Sequence, residues 1–497
     1  MLLFLNKIYY IRIMNLSRKG LVALIELPAT EFGLINHPLV SDIYSRRGLR
    51  APPRAIPGLA AILMQNGWVN VHQVASLYSE GKLTERDNFL ISNADLFLAS
   101  ALDRTAQQTN EVADIHRQRN PNGIRGAGGL FYSYNIENAL NHFDFVVINE
   151  GEATALEVAE RYTKDRDLTG IPGIAYKKGS EIIINPPRRF LTPKELGELP
   201  LPYYDELTKA GMKVGTVSNE RGCPHDCTFC LVTKTFGGTI RHFPTERVLK
   251  EIEMLKALGI KSIFINGDNS AGNPIKSREL FEAIAERNYG INFIAQVDIN
   301  AASKPKLLEA MRKAGVSTLC IGYESGSDAV LKYVNKHATA KKNKEAARVF
   351  KDYGFWQHAM LIMGLDPETP ETFRETIEWA KRSVDSVQFF VPTPFRGTPI
   401  YTQLESEKRI ISNKNYLYDG QNVVILPVNF SPYELQLKVF EAYNDFYSLR
   451  SAISRLGRSP ERLGTLGILA YTQLGGIDAF VKNPQTKAHL EFLKSIS

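Results

Sequence analysis

Cysteine is scarce in this chain, with four residues among 497, and three of the four fall between positions 223 and 230. A secreted fold held by disulfides needs several well-spaced pairs, so this arrangement is a poor disulfide framework. The scarcity indicates a reducing, cytoplasmic compartment. It also favours a metal site as the use of the three clustered cysteines.

A long uninterrupted apolar run is also lacking. The opening MLLFLNKIYYIRIMNL is broken by Lys7 and Arg12. It is therefore too short for a spanning helix of about 20 residues, and it has no small-residue cleavage site. No membrane span is expected. A composition of 44% hydrophobic and 23% charged residues is that of an ordinary globular protein.

Neither sign of charge dominates, since 60 basic residues face 53 acidic ones and the net charge is +7. The densest basic stretch runs from Arg46 to Arg54, and it has no interleaved aromatic residues of the kind that a nucleic-acid surface carries. Nucleic-acid binding is therefore not expected. A small anionic substrate or a solvated basic surface explains the excess.

The length exceeds that of one hydrophobic core, and the pattern divides the chain. From Gly20 to Tyr162, short apolar runs alternate with helix-length amphipathic stretches, which predicts an α/β domain with a doubly wound parallel sheet. A β-hairpin is predicted over 173–187, so the first domain spans 1–187 and a proline-rich linker spans 188–213. Ligands of such sheets bind beyond the carboxyl ends of the strands. The candidates there are Ser100, the Gly126-Ala127-Gly128-Gly129 turn and Glu150-Gly151-Glu152.

A second alternating series occupies residues 214–400. Six strand patterns, VGTVS, SIFING, INFIAQVDI, TLCIGYE, HAMLIMG and SVQFFVPTP, are separated by helical patterns. They predict a partial (β/α)6 barrel whose chemistry lies at the carboxyl ends of its strands. The strand pattern then stops, and residues 401–497 are expected to be a helical region that closes the open side of the barrel and shapes a substrate pocket.

The segment RGCPHDCTFC follows the first strand of this series. Its CxxxCxxC spacing lets Cys223, Cys227 and Cys230 ligate three irons of a [4Fe–4S] cluster and leaves the fourth iron open for reaction. The alternatives are unrelated free thiols or a zinc site with His225 as fourth ligand, although the spacing is unusual for zinc. Cys320 lies in an apolar strand pattern and is interpreted as a small core residue.

Over residues 215–400 the chain resembles the radical S-adenosylmethionine (SAM) superfamily. The resemblance implies that the open iron chelates SAM and that one electron, from a donor such as flavodoxin or ferredoxin, cleaves it. The product is a 5′-deoxyadenosyl radical that abstracts a hydrogen atom from a small-molecule substrate. The protein's expected task is to position the reactants and exclude water.

The same resemblance implies SAM contacts at the strand ends. Phe229, before the last cysteine, is expected near the adenine, with plain hydrophobic packing as its alternative. NGDNS lacks the usual Gly-Gly-Glu, so the backbone of Asn266 and Gly267 is implicated more than the side chain of Asp268. The other implied contacts, each of which taken alone fits a surface turn equally well, are Gln296, Asp298, Glu324, Ser325, Gly364 and Glu368.

The predicted sheet before the barrel resembles the cobalamin-binding subfamily, which implies cobalamin contacts at Ser100, Gly128, Gly129 and Glu152. The DxHxxG loop of many such domains is absent. Asp114-Ile115-His116 matches its first half, but Arg119 replaces the glycine and the segment has a helical pattern, so we interpret it as surface helix. Cobalamin bound without a protein base and a purely structural domain both remain open.

The resemblance implies cobalamin-dependent methyl transfer to an unactivated carbon as the reaction. A radical oxidoreductase or cyclase and a non-enzymatic zinc protein are the alternatives. Methylthiotransferases of transfer RNA and enzymes with auxiliary clusters carry further cysteines before or after the barrel. Residues 1–222 and 321–497 contain none, so only one cluster is expected.

Overall fold

The computed structural model describes residues 20–27, 54–74, 83–205, 209, 212–456 and 484–497. They form two compact units, and the division lies between residues 211 and 212. The opening apolar segment and all but the last residue of the Arg46–Arg54 stretch lie outside the described residues. Within the described part, no helix combines the length and the hydropathy that a bilayer crossing requires.

The first unit is built on a seven-stranded sheet of order β2-β1-β3-β4-β5-β6-β7. Its first five strands are parallel, whereas β6 and β7 form an antiparallel hairpin beside β5. The predicted α/β sheet and hairpin are confirmed. The elements are β1 Val22–Ile25, α1 Ala55–Gln65, β2 Val71–Val74, α2 Glu85–Asn93, β3 Leu96–Ser100, α3 Asp103–Arg119, β4 Ile124–Gly128, α4 Gly129–Tyr134, α5 Ile136–Ala139, β5 Phe145–Val147, α6 Glu152–Asp165, β6 Ile174–Lys178, β7 Glu181–Ile184 and α7 Pro193–Glu198.

Strand β1 shows why this sheet has helices on both faces. All four of its residues are buried, because successive side chains of a strand point to opposite faces and each face is covered. Ala23 and Ile25 pack into a core with α2, α3 and α4, whereas Val22 and Leu24 pack into a second core with α1 and α6. This doubly wound arrangement opens the carboxyl ends of the strands to a ligand.

The predicted turn at Gly126-Ala127-Gly128-Gly129 is wrong, because its first three residues belong to β4, which pairs with β3 and β5. The strand has glycine in place of larger apolar residues because neighbouring side chains leave no space for them. A Cβ on Gly126 would lie 2.2 Å from Cζ of Phe145. Only Gly129 lies past the strand, where α4 begins.

The Asp114-Ile115-His116 segment does lie on a helix, α3, but His116 does not face the surface. Its side chain is fully buried, with Nε2 2.9 Å from the Ala94 carbonyl oxygen and the ring 4.9 Å from that of Phe97. Burial, the largest effect, lowers the pKa of His116. It is therefore a packed, neutral core histidine.

The described residues that follow the hairpin contact the first unit. Arg188 donates to Thr154 Oγ1 at 2.7 Å and forms an ion pair with Glu157. The backbone N–H of Leu191 donates to the Glu150 carboxylate at 2.8 Å. The segment predicted as a linker is thus anchored to the first unit at its start.

The second unit is built on a six-stranded parallel sheet in which each strand neighbours the next, in the order β8-β11-β12-β13-β14-β15. All six predicted strands are present. The elements are β8 Gly215–Val217, β9 Glu220–Arg221, α8 Val232–Phe236, β10 Arg241–His242, α9 Thr245–Ala257, β11 Ser262–Ile265, α10 Pro274–Arg287, β12 Asn292–Val297, a 3-10 helix Ile299–Ser303, α11 Pro305–Lys313, β13 Val316–Glu324, α12 Asp328–Tyr333, α13 Ala340–Asp352, β14 Trp356–Ile362, α14 Pro370–Ser383, β15 Ser386–Phe390, α15 Pro399–Ser406, a 3-10 helix Asn415–Leu417, α16 Pro432–Phe446, α17 Leu449–Leu456 and α18 Pro484–Ser495.

The last strand of this sheet is covered by the carboxy-terminal region. The hydroxyl of Tyr443, on α16, accepts from the Phe389 N–H at 2.9 Å and donates to the Phe389 carbonyl at 3.1 Å. Tyr447 makes the same two bonds with Val387, at 3.0 and 2.8 Å. The aromatic-rich AYNDFYS segment, interpreted as helix packing, therefore also satisfies the free side of β15.

Candidate active site

The three clustered cysteines lie on one loop between β9 and α8, and this loop is folded back on itself. Gly222 enters it at φ +92°, where a Cβ would lie 2.4 Å from the Thr239 carbonyl oxygen, so only glycine fits. The hydroxyl of Thr233 donates to the carbonyls of Cys223 and His225 at 3.1 and 2.6 Å. The first part of the loop, around Cys223 and His225, is thus held by the Thr233 hydroxyl and by the close packing of Gly222 on the backbone at Thr239.

The three thiols are half-buried and close enough to influence one another. Burial is the largest effect on each, and it raises the pKa of Cys223 to about 11 and that of Cys227 to about 12. Metal binding would displace these protons, since the thiolate is the ligand. Among the described residues, no three His, Cys, Asp or Glu side chains are arranged around one metal ion. Three thiolates on one loop match a cubane, in which each thiolate binds a different iron, whereas a structural zinc takes four ligands.

The end of β11 holds the start of the cysteine loop. Asp268 Oδ2 accepts a hydrogen bond from the Gly222 N–H at 2.7 Å, and burial raises the pKa of its carboxyl. A Cβ on Gly267 would lie 2.3 Å from Asn219 Oδ1, so this backbone has room for no side chain. Asn266, at the end of the same strand, is exposed. The Asp268 side chain therefore anchors the loop, next to the buried Gly267 and the exposed Asn266.

A second connection runs from the cysteine loop to the end of β12. The Nε2 atom of His225 lies 2.8 Å from Asp298 Oδ2, which also accepts from Asn269 Nδ2 at 2.9 Å. Burial works to raise the pKa of Asp298, but the hydrogen bonds from His225, Asn269 and Asn300 lower it overall. Gln296 lies half-buried on the same strand. Asp298 thus unites the loop with two strand ends.

The end of β13 carries a buried ion pair. Glu324, at φ +62°, is paired with Lys336, whose Nζ lies 2.9 Å from Glu324 Oε1. Burial opposes the charge on Lys336, but the charges of Glu324 and Cys227 more than offset it and raise the pKa of the lysine. Ser325 is fully buried, and its hydroxyl accepts from the Ser327 N–H at 3.1 Å. Ser325 therefore shapes the turn. Lys336 is a cation beside the cysteines, and no sequence motif identified it.

Gly364 and Glu368, which follow β14, are buried, whereas residues that contact a ligand are expected to be accessible. Gly364 lies at φ +93°, and its N–H donates to Glu368. Glu368 has no exposed surface, and burial raises the pKa of its carboxyl to about 8. Phe229 is half-buried against a hydrophobic cluster that includes Val330 and Ile362. The structure thus shows the packing role of Phe229.

Glu220 is a further member of the site that the motifs did not reveal. It is 2% exposed, and its carboxylate accepts from the Asn269 N–H at 3.0 Å. Burial raises the pKa of Glu220 to about 8. Cys320 lies within β13 as expected, but it is half-buried rather than fully buried.

The candidate residues of the first unit meet at the carboxyl ends of β3 and β4. Gly129 adopts φ +86°, and a Cβ there would lie 2.6 Å from Ser100 Oγ, so its bare backbone adjoins that hydroxyl. A Cβ on Gly128 would meet nothing closer than 3.7 Å. Glu152 begins α6, beyond β5. The three strand ends thus present small residues and a hydroxyl, a surface that a large planar ligand can approach closely.

Comparison with known proteins places these two sites in context. The profile of the Radical SAM superfamily matches residues 220–380. An uncharacterized methyltransferase from Pyrococcus horikoshii is 27% identical over 83% of this chain and 92% of its own length. A putative methylthiotransferase from Methanocaldococcus jannaschii is 31% identical over 69% of this chain and 75% of its own. An anaerobic magnesium-protoporphyrin IX monomethyl ester cyclase from Synechocystis is 25% identical over 72% and 73%.

Two solved structures share the fold. One is OxsB, a cobalamin-dependent SAM radical enzyme, with a TM-score of 0.69 at 16% identity over 98% of this chain and 76% of its own. The other is TsrM from Kitasatospora setae, a radical SAM methyltransferase, with a TM-score of 0.63 at 16% identity over 78% and 75%. This chain belongs to the radical SAM superfamily, as an enzyme with the fold of its cobalamin-dependent members.

Proposed function

We propose that this enzyme holds a [4Fe–4S] cluster on Cys223, Cys227 and Cys230, cleaves SAM with it, and transfers a methyl group from cobalamin to an unactivated carbon of a small molecule. When bound, the cluster would supply the electron that breaks the sulfonium bond of one SAM, and cobalamin would carry a methyl group taken from a second SAM, which leaves as S-adenosylhomocysteine. The observation that supports this proposal most is the single cysteine loop, tied by hydrogen bonds to the carboxyl ends of two strands.

The residues around that loop have defined tasks in this proposal. Asp268 and His225 fix the loop against β11 and β12. Asn266 is exposed at the end of β11, and its N–H already donates to the Val217 carbonyl at 2.7 Å, so its carbonyl oxygen is the backbone group that would receive the amino group of SAM. Gly267 is buried and would leave room for the chain beside it. Lys336 places a positive charge beside Cys227, where it favours the thiolate.

The cobalamin proposal rests on the first unit. Ser100, Gly128 and Gly129 lie at two adjacent strand ends, where Gly129 packs so closely on Ser100 that a Cβ would lie 2.6 Å from its hydroxyl oxygen. His116 is buried within the core, with Nε2 2.9 Å from the Ala94 carbonyl oxygen, so it is not available to a ligand at the strand ends. In this proposal the domain would hold cobalamin without a histidine from the segment that resembles the DxHxxG loop.

The choice of methyl transfer over other radical reactions draws on the relatives. The relative from Pyrococcus horikoshii, which matches over 92% of its own length, is named a methyltransferase, whereas the relative from Synechocystis, which matches over 73%, is named a cyclase. This chain has only four cysteines in all, so it lacks a second cysteine set for an additional cluster. We further propose that an external donor supplies the single electron. The carboxy-terminal region is proposed to shape the substrate pocket.

The products of SAM distinguish the reactions without knowledge of the substrate. The protein is reconstituted anaerobically with iron, sulfide and cobalamin, then incubated with SAM and dithionite. Methyl transfer yields both 5′-deoxyadenosine and S-adenosylhomocysteine, whereas a cyclase or oxidoreductase yields 5′-deoxyadenosine alone. A colourless, zinc-loaded protein that leaves SAM intact would refute the enzyme proposal.

Two variants test whether the clustered cysteines hold the cluster. Cys227→Ala should lose the iron–sulfur absorption and the formation of 5′-deoxyadenosine. Cys320→Ala is the matched control, because this cysteine lies within β13 and should leave both unchanged. Retention of the cluster spectrum and of SAM cleavage in Cys227→Ala would contradict the assignment.

A further inference from the structure

The segment Lys332–Lys344, here called the basic segment, is a stretch of the second unit in which all the charged side chains are basic. It contains five lysines and one histidine and no acidic residue. It begins at the end of α12 and runs through a loop into the first turns of α13. The methyl-transfer proposal assigns no role to these charges.

The basic segment packs directly on the cysteine loop. The Thr228 N–H, between two of the cysteines, donates to the Val334 carbonyl at 3.1 Å. His337 Nε2 lies 3.3 Å from Asp226 Oδ1, and the rings of His337 and His225 are 6.0 Å apart. A protein seated on this segment would therefore be adjacent to the cysteines.

Most of the charge is on the surface. Lys332, Lys341, Lys342 and Lys344 are exposed, and only Lys336 is buried in its pair with Glu324. The first turn of α13 has no acidic residue, although cations at a helix N-terminus are opposed by the helix dipole. Lys341 has an exposed i,i+4 pair with Glu345 at 4.0 Å, which contributes little, so helix stability does not explain the accumulation of lysines here.

We infer that the basic segment is the docking surface for the acidic protein that delivers one electron to the cluster. The inference rests on the proposed function. A positive patch beside the cysteine loop attracts an acidic carrier, raises its association rate and orients it. The step moves one electron and no atoms: the donor is oxidised by one electron and the cluster is reduced by one.

A nucleic acid is the other polyanion that such a patch can attract. Its single strands are bound by exposed aromatic rings that stack on the bases. The only aromatic ring of a Phe, Tyr or Trp in the basic segment is that of Tyr333, and its hydroxyl is engaged with Asp366 at 2.9 Å. The contacts with the cysteine loop therefore favour the electron carrier.

The test reverses two charges and leaves the rest of the enzyme intact. In Lys341→Glu/Lys342→Glu, both positions are exposed at the start of α13, where Lys341 has only a surface pair with Glu345 at 4.0 Å among the ion pairs of the described residues. The matched control is Lys313→Glu/Lys351→Glu. These exposed lysines lie in the last turns of α11 and α13, a few residues before β13 and β14 begin, and so belong to the opposite edge of the sheet.

Purified flavodoxin in its fully reduced hydroquinone form, which becomes the semiquinone when it gives up one electron, is mixed anaerobically with each reconstituted protein. Cluster reduction is followed by stopped-flow absorbance. Affinity for oxidised flavodoxin is measured by calorimetry. At low ionic strength the reversal should slow reduction and weaken binding about 10-fold or more, and the dependence on salt should flatten. The control variant should match the parent, and dithionite should reduce all three proteins equally.

Equal flavodoxin binding and reduction in the parent and the reversal variant would overturn the inference. So would an equal loss in the control variant, or binding of a 20-nucleotide single strand that is lost on reversal while flavodoxin binding is kept. If the reversal variant takes up no cluster, the affinities of the cluster-free forms decide. Failure of the parent to bind a cluster or to split SAM with dithionite would instead refute the proposed function.

Discussion

Removal of the buried lysine beside the cysteines should destabilise the second unit strongly. In the native state Lys336 Nζ lies 2.9 Å from Glu324 Oε1, and the two side chains are 14% and 9% exposed. The change Lys336→Met leaves the Glu324 carboxylate buried without its counter-ion. Breaking a buried pair in this way costs about 3–5 kcal/mol in the free energy of unfolding.

The double variant Lys336→Met/Glu324→Gln supplies the test of that reasoning. It removes both charges, so most of the penalty should disappear, and the two changes should be coupled by about 1–3 kcal/mol. The exposed pair Lys276–Glu279 is the control, because its side chains are 56% and 45% exposed. There Lys276→Met should change the free energy of unfolding by less than about 0.5 kcal/mol.

Tryptophan fluorescence during urea unfolding of the cluster-free protein measures these changes. The chain has three tryptophans, and Trp68 belongs to the first unit whereas Trp356 and Trp379 belong to the second. A Trp68→Phe background therefore reports on the second unit alone. A penalty below about 1 kcal/mol for Lys336→Met, or strictly additive effects in the double variant, would refute the account of a desolvated ion pair.

Three further predictions concern single groups. Tyr443→Phe removes both hydrogen bonds to Phe389 and should cost about 1–3 kcal/mol in unfolding of the second unit. Gly129→Ala, strained at φ +86° and crowded against Ser100, should cost the first unit about 1–3 kcal/mol, read from Trp68 fluorescence. The pKa of Glu368 is raised to about 8, so the native state keeps a proton that the unfolded chain releases above pH 4.5. The free energy of unfolding therefore falls as pH rises through this window, and Glu368→Gln should gain stability over the parent by about 3 kcal/mol more at pH 8 than at pH 5.

Each of these has a neighbour that serves as control. Tyr433→Phe on the same helix, Gly128→Ala one residue earlier and the exposed Glu371→Gln should change stability by less than about 0.5 kcal/mol, independently of pH for the last. Equal losses at the two tyrosines, equal losses at the two glycines, or an identical pH dependence of Glu368→Gln and the parent would each contradict the corresponding prediction.

The repeating elements were predictable because their signals are local. All six strands of the second unit and the cysteine loop could be recognised, since apolar runs and short cysteine spacings are visible within ten residues. Strand β4 could not, because Gly126 is required by Phe145, which is 19 positions away. A glycine-rich strand and a glycine-rich turn have the same local sequence.

The contacts that each side chain makes at the site were less predictable than the positions of the site residues along the chain. Lys336 is 12 residues from Glu324, and the two side chains meet only when the turn after β13 and the helix α12 have both folded. The side chain of Asp268 holds Gly222 across 46 residues, and that of Glu368 bends back to Gly364. A motif identifies which residues reach a strand end, but the direction of each carboxylate depends on neighbours that are distant in the sequence.

The tyrosine hydroxyls along β15 have a consequence for how the protein behaves at high concentration. A bare outer strand offers a row of peptide groups on which a strand from another molecule can add, and this is a common start of aggregation. Two phenol groups already satisfy the peptide groups of Val387 and Phe389. The enzyme is therefore protected from intermolecular strand addition at this border, even before iron and sulfide have been inserted.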